Sequence, residues 1–171
     1  QRMAGLFPMV PAFERAFGAA AAEEGAALAS RAPVDLRANG LKADRDKVMK
    51  ALARFSPVPT PYSPMGVRLA VPEGAGRTPN VETEAGHGRG WFEVQDEGSQ
   101  VAALLADARP GMNVVDFCAG AGGKTLALAA AMRNKGKIVA CDVLEGRIDR
   151  AAVRFNRAGV HNVERKALSS E

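Results

Sequence analysis

The chain has 171 residues, 47% of them hydrophobic and 25% charged, with a formal net charge of +4 and a pI near 9.4. That is enough apolar material for a real core, in one medium domain or in one small domain with part of a larger one. The absence of any run of about eighteen apolar residues excludes a membrane-spanning helix, no segment has the layout of a signal peptide, and the mild basic excess favours an acidic partner such as RNA only weakly.

In chain order, residues 1–11 read as irregular, 13–17 as a short helix stopped by Gly18, and 19–30 as an alanine-rich helix of scaffold type. Residues 33–40 (PVDLRANG) alternate apolar and polar and close on an Asn-Gly turn, the signature of a strand. An amphipathic helix follows over 44–55, with Val48, Leu52 and Phe55 on one stripe, then a proline-rich loop over 56–64 and a second strand over 67–71. This β-α-β run reads as a small α+β module with a basic but ordinarily solvated face. Residues 72–90, rich in Gly, Pro, Glu and Thr, read as a loop in which His87 is expected to be exposed.

Residues 91–94 are expected to be a strand entering a second module, and 96–108 a helix capped by Asp96 or Ser99. The most regular stretch follows. A buried strand over 113–117 leads through a Gly/Ala turn at 118–123 into a helix over 124–133. A second buried strand over 137–141 ends at Asp142, a helix over 144–157 is closed by Gly159, and a third strand begins at 162–164. The order β-α-β-α opens a parallel, doubly wound sheet. The domain expectation is thus a small module at 1–72, a linker at 73–90 and the first half of a Rossmann-like domain at 91–171.

The segment from Asp116 to Thr125 (DFCAGAGGKT) carries the chemistry. A sharp strand-to-helix turn needs glycine for its backbone angles and for close approach of a ligand. The helix start beyond it offers free amide hydrogens and partial positive charge, which suit a carboxylate or a phosphate. A phosphate-binding P-loop requires a glycine where Cys118 stands, and a dinucleotide fingerprint requires one where Thr125 stands. Nucleotide coenzymes are therefore disfavoured but open. Asp142, at the end of the next strand and about twenty residues on, is placed to accept the hydroxyls of a ribose, which NAD and S-adenosylmethionine share. The two cysteines, Cys118 and Cys141, lie in no CxxC pair and near no histidine cluster. That argues against zinc, and the absence of a disulfide framework points to a reducing, cytoplasmic setting.

The block Trp91–Gln100 (WFEVQDEGSQ), the block from Val114 to Thr125 and the triplet Ala140-Cys141-Asp142 with Arg147 following resemble the Nol/Nop/Sun family of RNA cytosine-5 methyltransferases, most closely its bacterial ribosomal-RNA branch. Residues 33–39 resemble the strand that opens that family's small N-terminal module. The resemblance implies a Rossmann-like S-adenosylmethionine-dependent methyltransferase fold, incomplete here, behind a small α+β module. It implies that Cys118, Ala119, Gly120, Ala121, Gly122, Gly123 and Lys124 wrap the methionine part of S-adenosylmethionine, that Asp142 holds its ribose with Arg147 beside the cleft, and that Gln95 and Ser99 shape the pocket. Asp116 would support the turn. At Ala121 the chain departs from the proline of many relatives, which implies a looser turn. In the family a cysteine thiolate attacks the base and a second cysteine releases the adduct. Both belong to later motifs, so Cys118 and Cys141 are expected to be buried structural thiols and this chain alone to be inactive. The implied partner is RNA, ribosomal first and transfer RNA second, with no metal, no membrane and a monomeric chain. A non-catalytic RNA-binding or ribosome-assembly factor that keeps the cofactor fold remains the alternative.

Overall fold

The structure, a computed structural model, describes residues 9–70 and 79–169. By their contacts the residues fall into two compact units, Gln1–Pro33 and Val34–Glu171. The first unit holds two helices, α1 (Val10–Phe17) and α2 (Ala21–Ala29), joined by a 3-10 turn at Gly18–Ala20. Pro11 sits in the first turn of α1, where its missing N–H costs nothing, so the helix begins earlier than residue 13. The irregular start expected for residues 1–8 lies outside the described residues.

The second unit contains two sheets. The antiparallel one has the strand order β2-β3-β1-β4, built from β1 (Val34–Ala38), β2 (Val58–Pro59), β3 (Gly66–Leu69) and β4 (Phe92–Val94). Helix α3 (Arg45–Ala51) begins at Asp44, whose carboxylate accepts from the Lys47 amide at 2.8 Å. It lays Val48 on one side of the sheet, with Leu52 just beyond its end. There they meet Leu36, Ala38, Val67, Leu69 and Phe92, all fully buried. Period-two alternation sends Asp35, Arg37, Arg68, Glu93 and Gln95 to the opposite face.

Two expectations change here. Strand β4 does not open the parallel sheet; it pairs antiparallel with β1, in the register Leu36 with Val94 and Ala38 with Phe92. The stretch before it is not bare loop in its described part. A 3-10 turn at Val81–Thr83 and the short helix α4 (Ala85–Gly88) bury Val81, Gly86 and His87. His87, expected in solvent, is 8% exposed, its ring against Phe92 and its Nδ1 3.1 Å from the Glu82 carbonyl oxygen.

Helix α5 (Glu97–Leu105) is capped by Asp96, which accepts from the Ser99 amide. Its first turn is tied to the antiparallel sheet. The Glu97 amide donates to Asp35, and Gln100, 1% exposed, donates to the Gln95 and Leu36 carbonyls. Beyond it lies the parallel sheet in the order β5-β6-β7, from β5 (Asn113–Asp116), β6 (Lys137–Asp142) and β7 (Val163–Ala167). Helices α6 (Gly123–Ala131) and α7 (Glu145–Ala158) connect these strands. Leu126, Ala129, Met132, Ile138, Ala151 and Phe155 form their shared core. The strand expected over 113–117 is not buried on both faces: Val115 is 62% and Phe117 67% exposed, standing on a side of the sheet that no described element covers.

Candidate cofactor-binding site

The turn between β5 and α6 is pinned at both of its ends. The Ala119 amide donates to the Cys141 carbonyl at 2.8 Å, which keeps the turn beside the end of β6. The Thr125 hydroxyl donates to Asp116 at 2.6 Å, which ties the last residue of β5 to the first turn of α6. Gly122 precedes the helix at φ 81°, and a Cβ there would stand 2.5 Å from the Phe155 ring. Glycine is thus required twice over, by backbone angle and by packing. The amide groups at the start of α6 face forward with the positive end of the helix.

Asp142 meets this turn from the neighbouring strand. One carboxylate oxygen accepts from the Gly120 amide at 2.8 Å and the other from the Leu144 amide at 2.9 Å. Those two bonds, Leu144 first, hold its carboxyl below the usual aspartate range; the charge of Arg147 adds to the effect and burial opposes it. Each oxygen keeps a lone pair for a further donor. Asp142 lines a cleft of about 280 Å³ with Phe117, Cys118, Val143, Leu144, Arg147, Leu168 and Ser169. One wall is apolar, the floor is acidic, and a cation stands at the side.

Of the residues singled out in the sequence, Cys118, Asp142 and Arg147 line this cleft together, and Gly120 reaches it through its bond to Asp142. Ala119 is buried under the turn, Ala121 and Lys124 are exposed, and Gly122 and Gly123 start the helix. Gln95 and Ser99 are not among the lining residues. Gln95 is locked behind the turn, accepting from Arg37 Nε at 2.6 Å and lying 3.4 Å from the Ser99 hydroxyl. The burial expected for both cysteines holds for Cys141 alone. Cys118 is exposed, because it stands at the cleft mouth beside the open face of β5.

A polar network behind the turn has no signature in the sequence. Glu93, 2% exposed, accepts from Arg154 and Arg157 of α7. Beside it Arg37 is buried with one guanidinium nitrogen unpartnered, and burial pushes its pKa down to about 10 against the attraction of Glu93. Arginines at positions 154 and 157 recur at helical spacing, but nothing in a single sequence pairs them with a glutamate on a three-residue strand.

Residues 103–168 match the family model described as 16S rRNA methyltransferase RsmB/F. A probable ribosomal RNA small subunit methyltransferase B of Synechocystis is 33% identical over 155 residues, which is 89% of this chain and 34% of that protein. A 25S rRNA (cytosine-C(5))-methyltransferase, NSUN5 of Arabidopsis thaliana, is 29% identical over 132 residues, 77% of this chain and 22% of that protein. The crystal structure of a methyltransferase homolog protein from Pyrococcus horikoshii superposes with a TM-score of 0.81 at 29% identity, over 92% of this chain and 51% of that one. The chain thus spans about a third of the Synechocystis relative's length. Among the described residues no helix is long and apolar enough to cross a membrane, and no three His, Cys, Asp or Glu side chains group as metal ligands. With its parallel sheet, glycine turn and strand-end aspartate in the Rossmann-like arrangement of methyltransferases, the chain is similar over most of its length to the RsmB/F methyltransferases, whose family model matches residues 103–168.

Proposed function

We propose that this chain is the cofactor-binding portion of an S-adenosylmethionine-dependent RNA cytosine-5 methyltransferase acting on ribosomal RNA. The observation that carries the reading is the bond between the Gly120 amide and Asp142 at the cleft floor. It brings the glycine turn and the strand-end acid into one site of about 280 Å³.

The donor set fits the cofactor. Asp142 has free lone pairs for the two ribose hydroxyls. The turn at 118–124 and the start of α6 offer backbone amides and positive potential to the methionine carboxylate. Phe117, Val143 and Leu144 supply an apolar wall for a flat heteroaromatic ring, and Arg147 stands beside Asp142. When bound, the cofactor would supply the methyl group. This chain's own residues would bind and orient it. The ring-attacking thiolate is assigned to neither cysteine: Cys141 is buried, and Cys118 belongs to the cofactor turn. The RNA substrate is inferred from the relatives, whose names place them on ribosomal RNA, and an unpaired or flipped base is the form in which the ring is accessible.

The test is calorimetric titration of the chain with S-adenosylmethionine, beside ATP and NAD, repeated on Asp142→Ala. The expected result is selective binding of S-adenosylmethionine, weakened about tenfold or more in the variant, roughly 1.4 kcal/mol. Preferential binding of ATP or NAD would overturn the reading.

A further inference from the structure

We propose that Arg154 is a positioning residue for the cofactor turn: it couples the small antiparallel sheet to the peptide group between Ala121 and Gly122. The inference rests on the reading that residues 118–124 hold S-adenosylmethionine.

That peptide group is held from both sides. Its N–H, the Gly122 amide, donates to the Ala119 carbonyl at 2.8 Å. Its carbonyl, on Ala121, accepts from Arg154 Nη1 at 2.8 Å. Ala121 is exposed, and the turn around it runs through two glycines at positive φ, Gly120 at 55° and Gly122 at 81°. A peptide plane next to glycine rotates at little steric cost. Rotation here would turn the Gly122 N–H away from Ala119 and redirect the amides that line the start of α6. The Arg154 guanidinium opposes that rotation from the carbonyl side.

Arg154 can do so because its other edge is fixed. Its Nε donates to Glu93 Oε2 at 3.0 Å, and its Nη2 lies 2.9 Å from the same oxygen. Glu93 sits on β4, nearly out of solvent, so it requires cationic partners. Arg157 satisfies that need separately, donating to both Glu93 oxygens at 2.7 and 2.8 Å without reaching the turn. Two arginines therefore share one carboxylate, and one of them has a nitrogen to spare for the turn. The rigid planar fork aims separate nitrogens at the two acceptors, whereas a lysine would have to serve both from one ammonium nitrogen.

The pair makes its own control. Arg154→Ala, Arg154→Lys and Arg157→Ala are compared with the parent chain by amide hydrogen exchange across residues 119–123, by titration with S-adenosylmethionine, and by thermal melting. Arg154→Ala is expected to speed exchange at the Gly122 amide about tenfold or more and to weaken the cofactor about tenfold. Arg154→Lys keeps the charge beside Glu93, and so the fold, and is expected to follow the alanine variant in exchange and affinity. Arg157→Ala is expected to lower the melting temperature as much while leaving turn exchange and affinity within about twofold of the parent. Unchanged exchange at Gly122 in both Arg154 variants overturns the proposal, as does an equal effect of Arg157→Ala. A parent chain that binds no S-adenosylmethionine overturns the cofactor reading instead, and the exchange data still decide whether Arg154 holds the turn.

Discussion

The side-chain amide of Asn39 donates to the carbonyl oxygen of Ala158, 119 residues further along the chain, at 2.8 Å, and to that of Gly90 at the same distance. Ala158 is the last residue of α7, so one side chain just beyond β1 satisfies a helix-end carbonyl that has no partner within its own helix. Lys42 adds its ammonium to the neighbouring carbonyls of Arg157, at 2.6 Å, and Arg89, at 3.2 Å, where a cation also suits the negative end of the helix. Gly90 is required at this contact, since a Cβ on it would lie 2.0 Å from the Arg157 oxygen. The loop after β1 thus holds one end of α7 while Glu93 holds its flank. The antiparallel sheet is thereby a brace for the helix behind the cofactor turn.

Asn39→Ala leaves two carbonyl acceptors without a donor and is expected to cost about 2–3 kcal/mol. Asn39→Asp is expected to cost more, because a carboxylate oxygen would face the carbonyls in place of the amide N–H groups. Lys42→Met, at an exposed position, is expected to cost no more than about 1 kcal/mol. Urea denaturation followed by the fluorescence of Trp91, the single tryptophan, ranks the three. Equal tolerance of Asp and Ala at position 39 would remove the donor role.

How much of this was legible depends on whether a signal is local. The turn at 118–123, the acid at 142 and the cap at Asp96 are written in neighbouring residues, and the structure keeps all of them. The partner of β4 is not. Alternation marks which residues share a face of a strand but not which sheet the strand joins, and β4 lies more than fifty residues from its partner β1. Strand β2 is hidden inside a proline-rich stretch, where Val58 and Pro59 pair with β3 at the sheet edge, the place where a strand tolerates proline. His87 reads as solvated because glycines flank it, yet it lies in a short helix where Gly86 lets the Phe92 and Trp91 rings approach closely. The exposure of Val115 and Phe117 depends on which face of the sheet is covered by packing, which no stretch of β5 encodes.

Glu93→Gln tests the buried charge cluster. The change leaves Arg154 and Arg157 facing an amide that accepts through one oxygen and opposes them with its NH2. Removing one partner of a buried ion pair costs about 3–5 kcal/mol, and because both arginines keep some solvent contact the low end, about 3 kcal/mol, is expected. Chemical denaturation at neutral pH measures it. A loss below about 1 kcal/mol would mean that the cluster behaves as a surface pair.

Gly122→Ala adds a Cβ 2.5 Å from the Phe155 ring at a left-handed backbone position. The expected loss is about 3 kcal/mol, from backbone strain and overpacking together. Pairing it with Phe155→Leu separates the two. The smaller side chain is expected to relieve the clash and leave only the backbone share, so the double variant should be more stable than the sum of the single changes predicts. Strict additivity in the melting curves would show that Phe155 does not set the glycine requirement.

Asp142 carries a pH dependence whose sign follows from its bonds. The amides of Leu144 and Gly120 hold its carboxyl below the usual aspartate value. A group whose pKa is lower in the folded than in the unfolded chain binds fewer protons when folded, so it contributes stability above the unfolded value that is lost as pH falls through the folded one. For an aspartate that window lies below about pH 4. Asp142→Asn removes the charge and presents an amide to one of the two N–H donors. The variant should therefore be less stable than the parent at neutral pH, with the gap narrowing as pH drops below about 4. Urea titrations of both chains from pH 7 to 3 give the difference directly. A gap that stays constant across the range would mean that the two amides do not favour the ionised form.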